Sequence, residues 1–109
     1  MPIKILIDEC LPKRLKVALS EHSIFTVPEM GWAGKKDGEL LVLMAGKFDV
    51  FLTIDQNLEY QQNIGQRAVA FVVLVAANSK MESLLPLIPE FLRTLPGLQA
   101  GTVTKIHAP

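Results

Sequence analysis

Three aspartates stand where a chain could gather them into one acidic site. Asp8 directly follows the apolar stretch Ile3 to Ile7, Asp55 directly follows Val50 to Ile54, and Asp37 opens the run Gly38 to Ala45. Carboxylates held close together repel, and one or more must protonate unless a cation joins them. A hard divalent ion resolves the conflict. Mg²⁺ takes oxygen ligands and keeps several waters, so two or three carboxylates suffice. Such an ion activates water and polarises a phosphoryl group. Each acid also has a plain structural role open to it. Asp37 suits the N-cap of its helix and Asp55 could cap a following turn, whereas Asp8 ends a buried strand with no helix immediately after it. Glu9 either joins the cluster or points away.

The elements that must position these acids can be read from apolar patterning. Ile3–Ile7, Ser23–Val27, Val50–Ile54 and Thr102–Ile106 read as short strands. Val69 to Ala76 is continuously apolar, as expected of a central parallel strand covered on both faces. Between them, Leu11 to Leu19 has helical spacing with Pro12 in its first turn. Gly38 to Ala45 forms a second helix closed by Gly46, and Asp55 to Gln62 a short helix or turn. Leu84 to Leu95 keeps helical spacing, but Pro86 and Pro89 must start, kink or split it. Alternating strands and helices predict an α/β fold: a three-layer sandwich with a mostly parallel central sheet, in a single domain over residues 1–109. Functional residues of such sheets lie beyond the carboxyl ends of the strands. In a right-handed parallel fold, Asp8, Asp37 and Asp55 share that edge.

Composition narrows the function. The 109 residues carry eleven Lys and Arg against eleven Asp and Glu, for a net charge of zero. Residues 1–50 hold seven of each sign and 51–109 four of each. That balance disfavours broad electrostatic coating of nucleic acid, but it permits a short footprint beside acids that a metal neutralises. The single cysteine, Cys10, excludes an intramolecular disulfide. The longest apolar run, Ala68 to Ala77, is about half of a membrane span. A cytoplasmic protein with no membrane association is expected.

The motifs carry a resemblance. Ile5-Leu6-Ile7-Asp8-Glu9-Cys10-Leu11-Pro12 resembles the opening of small PIN-like domains, in which a strand ends in Asp-Glu. Gly34-Lys35-Lys36-Asp37-Gly38-Glu39-Leu40-Leu41 resembles their loop and acid-led second helix. Phe51-Leu52-Thr53-Ile54-Asp55-Gln56-Asn57-Leu58 resembles their third-strand motif, Thr-x-Asp followed by a second acid. The resemblance covers nearly the whole chain. It implies a PIN-like fold and a metal-dependent endoribonuclease cleaving phosphodiester bonds in single-stranded RNA. Asp8, Asp37 and Asp55 would be the catalytic, metal-binding acids, with Glu9 and Asn57 as further candidate ligands and Mg²⁺ or Mn²⁺ as the cofactor. Asn57 stands where many relatives have a fourth acid, and Cys10 where many have Asn. Small free-standing bacterial members often act as toxins, which implies an antitoxin encoded alongside; relatives also form homodimers.

Beside this acidic centre, Lys13, Arg14, Lys35 and Lys36 are candidate contacts for RNA phosphates, and Thr53 could orient an acid or water. Trp32 either stacks a base or anchors its loop. Cys10 reads as a buried or half-buried thiol rather than a nucleophile, and His22 and His107 show no ligand spacing. Two alternatives remain. One is a catalytically weak PIN-like binding module, suggested by Asn57. The other is a phospho-accepting receiver-like signalling domain, imitated by Asp8-Glu9, Asp55 and Lys105.

Overall fold

The short, branched, apolar runs form the strands of one sheet. The computed structural model describes residues 3–35, 37–55 and 68–107, with Asp37 as backbone only. The strands are β1 (Lys4–Ile7), β2 (Ser23–Thr26), β3 (Val50–Thr53), β4 (Ala70–Val75) and β5 (Val103–His107). They pair in the order β2-β1-β3-β4-β5, and every pairing is parallel. The sheet is thus wholly parallel, a step beyond the mostly parallel one expected. Register sets Ile7 beside Thr26 and Leu52, and Thr53 beside Val73.

Helices are shorter than the patterning suggests. α1 covers only Leu15–Ala18, because the chain from Pro12 enters through three-residue turns: Leu15 N–H bonds Pro12 O and Lys16 N–H bonds Lys13 O, each at 3.1 Å. α2 runs Asp37–Met44, so Asp37 is its first residue rather than the one before it. Gly46 follows in the left-handed conformation (φ 77°), which a residue without Cβ adopts freely. The prolines do split the last helical stretch. α3 (Met81–Leu84) passes through a 3₁₀ turn at Leu85–Leu87 into α4 (Ile88–Thr94). The turn or helix expected from Asp55 to Gln62 falls, beyond Asp55, outside the described residues.

Strand alternation divides the core in two, giving three layers. Ile5, Ile7, Leu52, Val72 and Leu74 face Leu15 and Leu19 of the first helical segment and Leu84 and Phe91 of α3 and α4. Leu6, Phe51, Phe71 and Val73 face Leu40, Leu41 and Met44 of α2, with Trp32 and Phe48.

These faces reveal the hand of the connections. The crossover through α1 moves from β1 to β2 on one face; that through α2 moves the opposite way, to β3, on the other face. These two therefore share a hand. The β4–β5 crossover moves in the same direction as that of α2, but α3 and α4 lie on the face of α1. It has the opposite hand. Since about 98% of such crossovers are right-handed, this one is the left-handed exception. The uniform right-handed winding expected from sequence does not hold here. The carboxyl-edge argument survives, because it needs only parallel strands.

Candidate functional site

Strand order reverses between β1 and β3, and the crevice beyond the carboxyl ends of those strands is the usual binding place in an open α/β sheet. Asp8 and Asp55 follow these two strands. Asp8 still donates its N–H to Leu52 O at 2.9 Å, so the ladder fixes its backbone up to the crevice. By alternation Asp8 follows Leu6, and Thr53 follows Phe51, onto the α2 face. α2 leaves the carboxyl end of β2 and returns to the amino end of β3. Its first residue, Asp37, therefore begins at the same edge and on the same face as Asp8 and Thr53.

Thr53 ties the site together. It is fully buried, and its Oγ1 donates to Asp8 Oδ2 at 2.6 Å while accepting from Asp55 N–H at 3.1 Å. One hydroxyl thus orients the acid of β1 and holds the backbone of the acid of β3. Asp8 Oδ1 accepts from Glu9 N–H at 2.8 Å. Cys10 Sγ donates to Asp8 Oδ2 at 3.4 Å and lies 3.6 Å from Thr53 Oγ1. Although Cys10 as a residue is exposed, its sulfur turns inward onto these groups. Partial burial pushes the thiol above its ordinary range, a hydrogen bond with the Ile54 backbone works against this, and the Asp8 charge adds to it. Cys10 is therefore a protonated donor at neutral pH and not an activated nucleophile. Its sequence reading as a half-buried thiol lacked this partner, which the spacing Asp-x-Cys at a strand end could have indicated.

The donor set here is carboxylate and hydroxyl oxygen, which suits a hard divalent cation that keeps its own waters. Among the described residues no group of three His, Cys, Asp or Glu side chains gathers at metal-binding distance. The side chain of Asp37, and Lys36 and Asn57 entirely, lie outside those residues. Of the three aspartates, Asp8 and Asp55 are the two whose side chains fall among the described residues. Glu9 turns elsewhere: its Oε1 and Oε2 accept from Gly34 N–H at 3.3 and 3.4 Å.

Comparison with family models, with characterised proteins and with solved structures finds no match to this chain. Its function must be argued from the geometry.

The candidate RNA-contacting cations do not form one patch. Exposed Lys13 lines a shallow groove with Leu11, Thr26, Pro28 and Glu29, and Arg14 a different groove with Val17, Ala18, Met81 and Leu85. Lys35 pairs with Glu39 at 3.7 Å on the first turn of α2. Trp32 is buried, stands edge-on to Phe48 at 6.1 Å and has Lys47 Nζ 5.5 Å from its ring. It anchors its loop, and the base-stacking alternative is set aside because the ring faces the core. His22 Nδ1 accepts from Ile3 N–H at 3.2 Å, a structural role.

One local device was legible but missed. Thr26-Val27-Pro28-Glu29 has capping-box spacing. Glu29 Oε1 accepts from Thr26 N–H at 2.6 Å, and Glu29 N–H donates to Thr26 Oγ1 at 3.3 Å. Lys16 Nζ joins Glu29 Oε1 at 2.8 Å and ties α1 to this turn. Hydrogen bonds from Lys16 and the Thr26 backbone lower the Glu29 pKa, with the Lys16 bond the largest cause and partial burial opposing.

Proposed function

We propose that this chain is a PIN-like, Mg²⁺- or Mn²⁺-dependent endoribonuclease acting on single-stranded RNA. The observation that carries the reading is the pairing of Asp8 and Asp55 across the β1–β3 switch point, with Thr53 Oγ1 bonded to both residues. Asp8 and Asp55 would hold the ion, and Asp37, the first residue of α2, would be the third acid, since its helix begins at the same edge. A bound divalent ion would act as a Lewis acid on the phosphoryl oxygen and raise the acidity of water. Thr53 keeps Asp8 in one orientation, and the protonated Cys10 thiol adds a second donor to the same oxygen. Exposed Lys13 and Lys35 are the cations that would meet RNA phosphates.

The biological role we infer is that of a toxin held in check by an antitoxin encoded next to it. Finding a reading frame for a small DNA-binding or antitoxin-like protein next to it would support this role, and growth arrest on expression, relieved by that neighbour, tests it.

A receiver-like domain is the rival that the strand order favours, since 2-1-3-4-5 is also the flavodoxin-like order. One observation counts against it. A uniformly right-handed sheet of that order carries its β4–β5 crossover on the face of α2, whereas α3 and α4 lie on the other face.

The deciding experiment is cleavage of single-stranded RNA with Mg²⁺ or Mn²⁺ by wild type, Asp8→Asn and Asp55→Asn. Wild type should cleave, and each variant should lose at least about tenfold, as expected when a charged ligand is removed. Equal cleavage by all three rejects the site. No cleavage by wild type favours a binding module, and phosphorylation of Asp55 by a small phosphoryl donor favours the receiver reading.

A further inference from the structure

Glu9 directly follows Asp8, yet its side chain reaches a segment 25 residues away. Both carboxylate oxygens accept from Gly34 N–H, at 3.3 and 3.4 Å, while Glu9 N–H donates to Asp8 Oδ1 at 2.8 Å. One residue therefore touches the acid at the end of β1 and the loop that leads into α2. Gly34 lies three residues before Asp37, in a left-handed turn (φ 81°). The base of that loop is fixed independently. Trp32 is buried against Phe48, Trp32 N–H donates to Val27 O at 3.1 Å, and Lys35 N–H donates to Trp32 O at 3.2 Å. On its β1 side the loop is held by Glu9.

We infer that Glu9 is a positioning residue, which clamps the β2–α2 loop at Gly34 to the end of β1 beside Asp8 and so fixes the loop that leads into α2. This rests on the metal-site reading given above and changes the place of Glu9 within it, from candidate ligand to clamp. The physical requirement is spacing. Acids from two loops serve one ion only if the loops keep a fixed separation, and the Gly34 N–H shared between the two Glu9 oxygens links the two loops here. An orienting partner of this kind commonly affects metal affinity nearly as much as a ligand does.

Substitution separates the two roles. Glu9→Gln removes the charge a ligand needs but keeps an oxygen that can accept from Gly34 N–H; Glu9→Ala removes both. Two readouts apply: hydrogen exchange of the Gly34 amide in metal-free protein, and Mn²⁺ affinity by calorimetry. The clamp predicts that Glu9→Ala speeds Gly34 exchange about tenfold, the loss of one hydrogen bond to a charged acceptor. It also weakens Mn²⁺ binding by about tenfold. Glu9→Gln should stay within about threefold of wild type in both, since its amide oxygen still accepts. Unchanged Gly34 exchange in Glu9→Ala overturns the clamp. So does a Glu9→Gln variant that loses as much Mn²⁺ affinity as Glu9→Ala, which would make Glu9 a ligand. If wild type binds no Mn²⁺, the nuclease reading fails, and the exchange comparison alone decides the clamp.

Discussion

Replacing Thr53 by Val removes one oxygen atom and leaves the buried volume nearly unchanged, so its effect isolates the hydroxyl. That oxygen makes a 2.6 Å bond to a carboxylate and a 3.1 Å bond from a backbone N–H. A hydrogen bond to a charged group is worth about 1.5–3 kcal/mol, and a neutral one about 1 kcal/mol. Asp8 and Asp55 are only half-buried, so water recovers part of the loss. The net cost should be about 2 kcal/mol, which for a domain of this size lowers Tm by roughly 10 °C. Thr53→Ser keeps the oxygen and loses one buried methyl group, at about 1 kcal/mol. Urea unfolding of the three proteins, with amide exchange at Asp55, measures this directly. Thr53→Val should be the less stable variant and should expose the Asp55 N–H, while Thr53→Ser keeps it protected. A Val variant within about 0.5 kcal/mol of wild type, the range of a neutral surface change, would refute the assignment of Thr53 as the bridge.

Three further outcomes are expected. Glu29 has a lowered pKa in the folded state, so the unfolded chain binds its proton more readily and stability rises with pH. The contribution is complete above the ordinary carboxylate range and disappears as pH falls through the depressed folded value. Glu29→Gln should flatten that part of the acid-unfolding profile, by less than about 1 kcal/mol because the pair with Lys16 is solvent-accessible. Alkylation of Cys10 by iodoacetamide should be slower than that of a free thiol at pH 8 and should climb at higher pH, because burial and Asp8 disfavour the thiolate; a rate matching free cysteine contradicts the inward-facing sulfur. Trp32, the only tryptophan, should show blue-shifted emission that RNA does not quench by stacking, and Trp32→Ala should cost about 3–5 kcal/mol in thermal or urea unfolding.

Much of this arrangement is local and could be read along the chain. Short branched runs, glycines and prolines mark where strands and helices begin and end, because those preferences act over a few residues. They placed Asp8 and Asp55 just beyond strands and let Pro86 and Pro89 divide the last helix. They overestimated α1, since helical spacing from Leu11 does not reveal that the chain enters from Pro12 in tighter turns. The capping box at Thr26 and Glu29 was equally local and could have been found.

What the sequence determined by itself is the set of elements and the acids at their ends. Which strands touch was decided only by tertiary packing. β3 and β4 are buried on both faces, so their apolar runs carry no period that names a neighbour or a covering helix. Only the paired sheet brings β3 against β1, within one hydroxyl's reach of Asp8, and only packing puts α3 and α4 on the face of α1. The direction of Glu9 was likewise undecided. A residue in a turn just past a strand has lost the strict alternation of the strand, and its partner, Gly34, lies 25 residues farther along the chain.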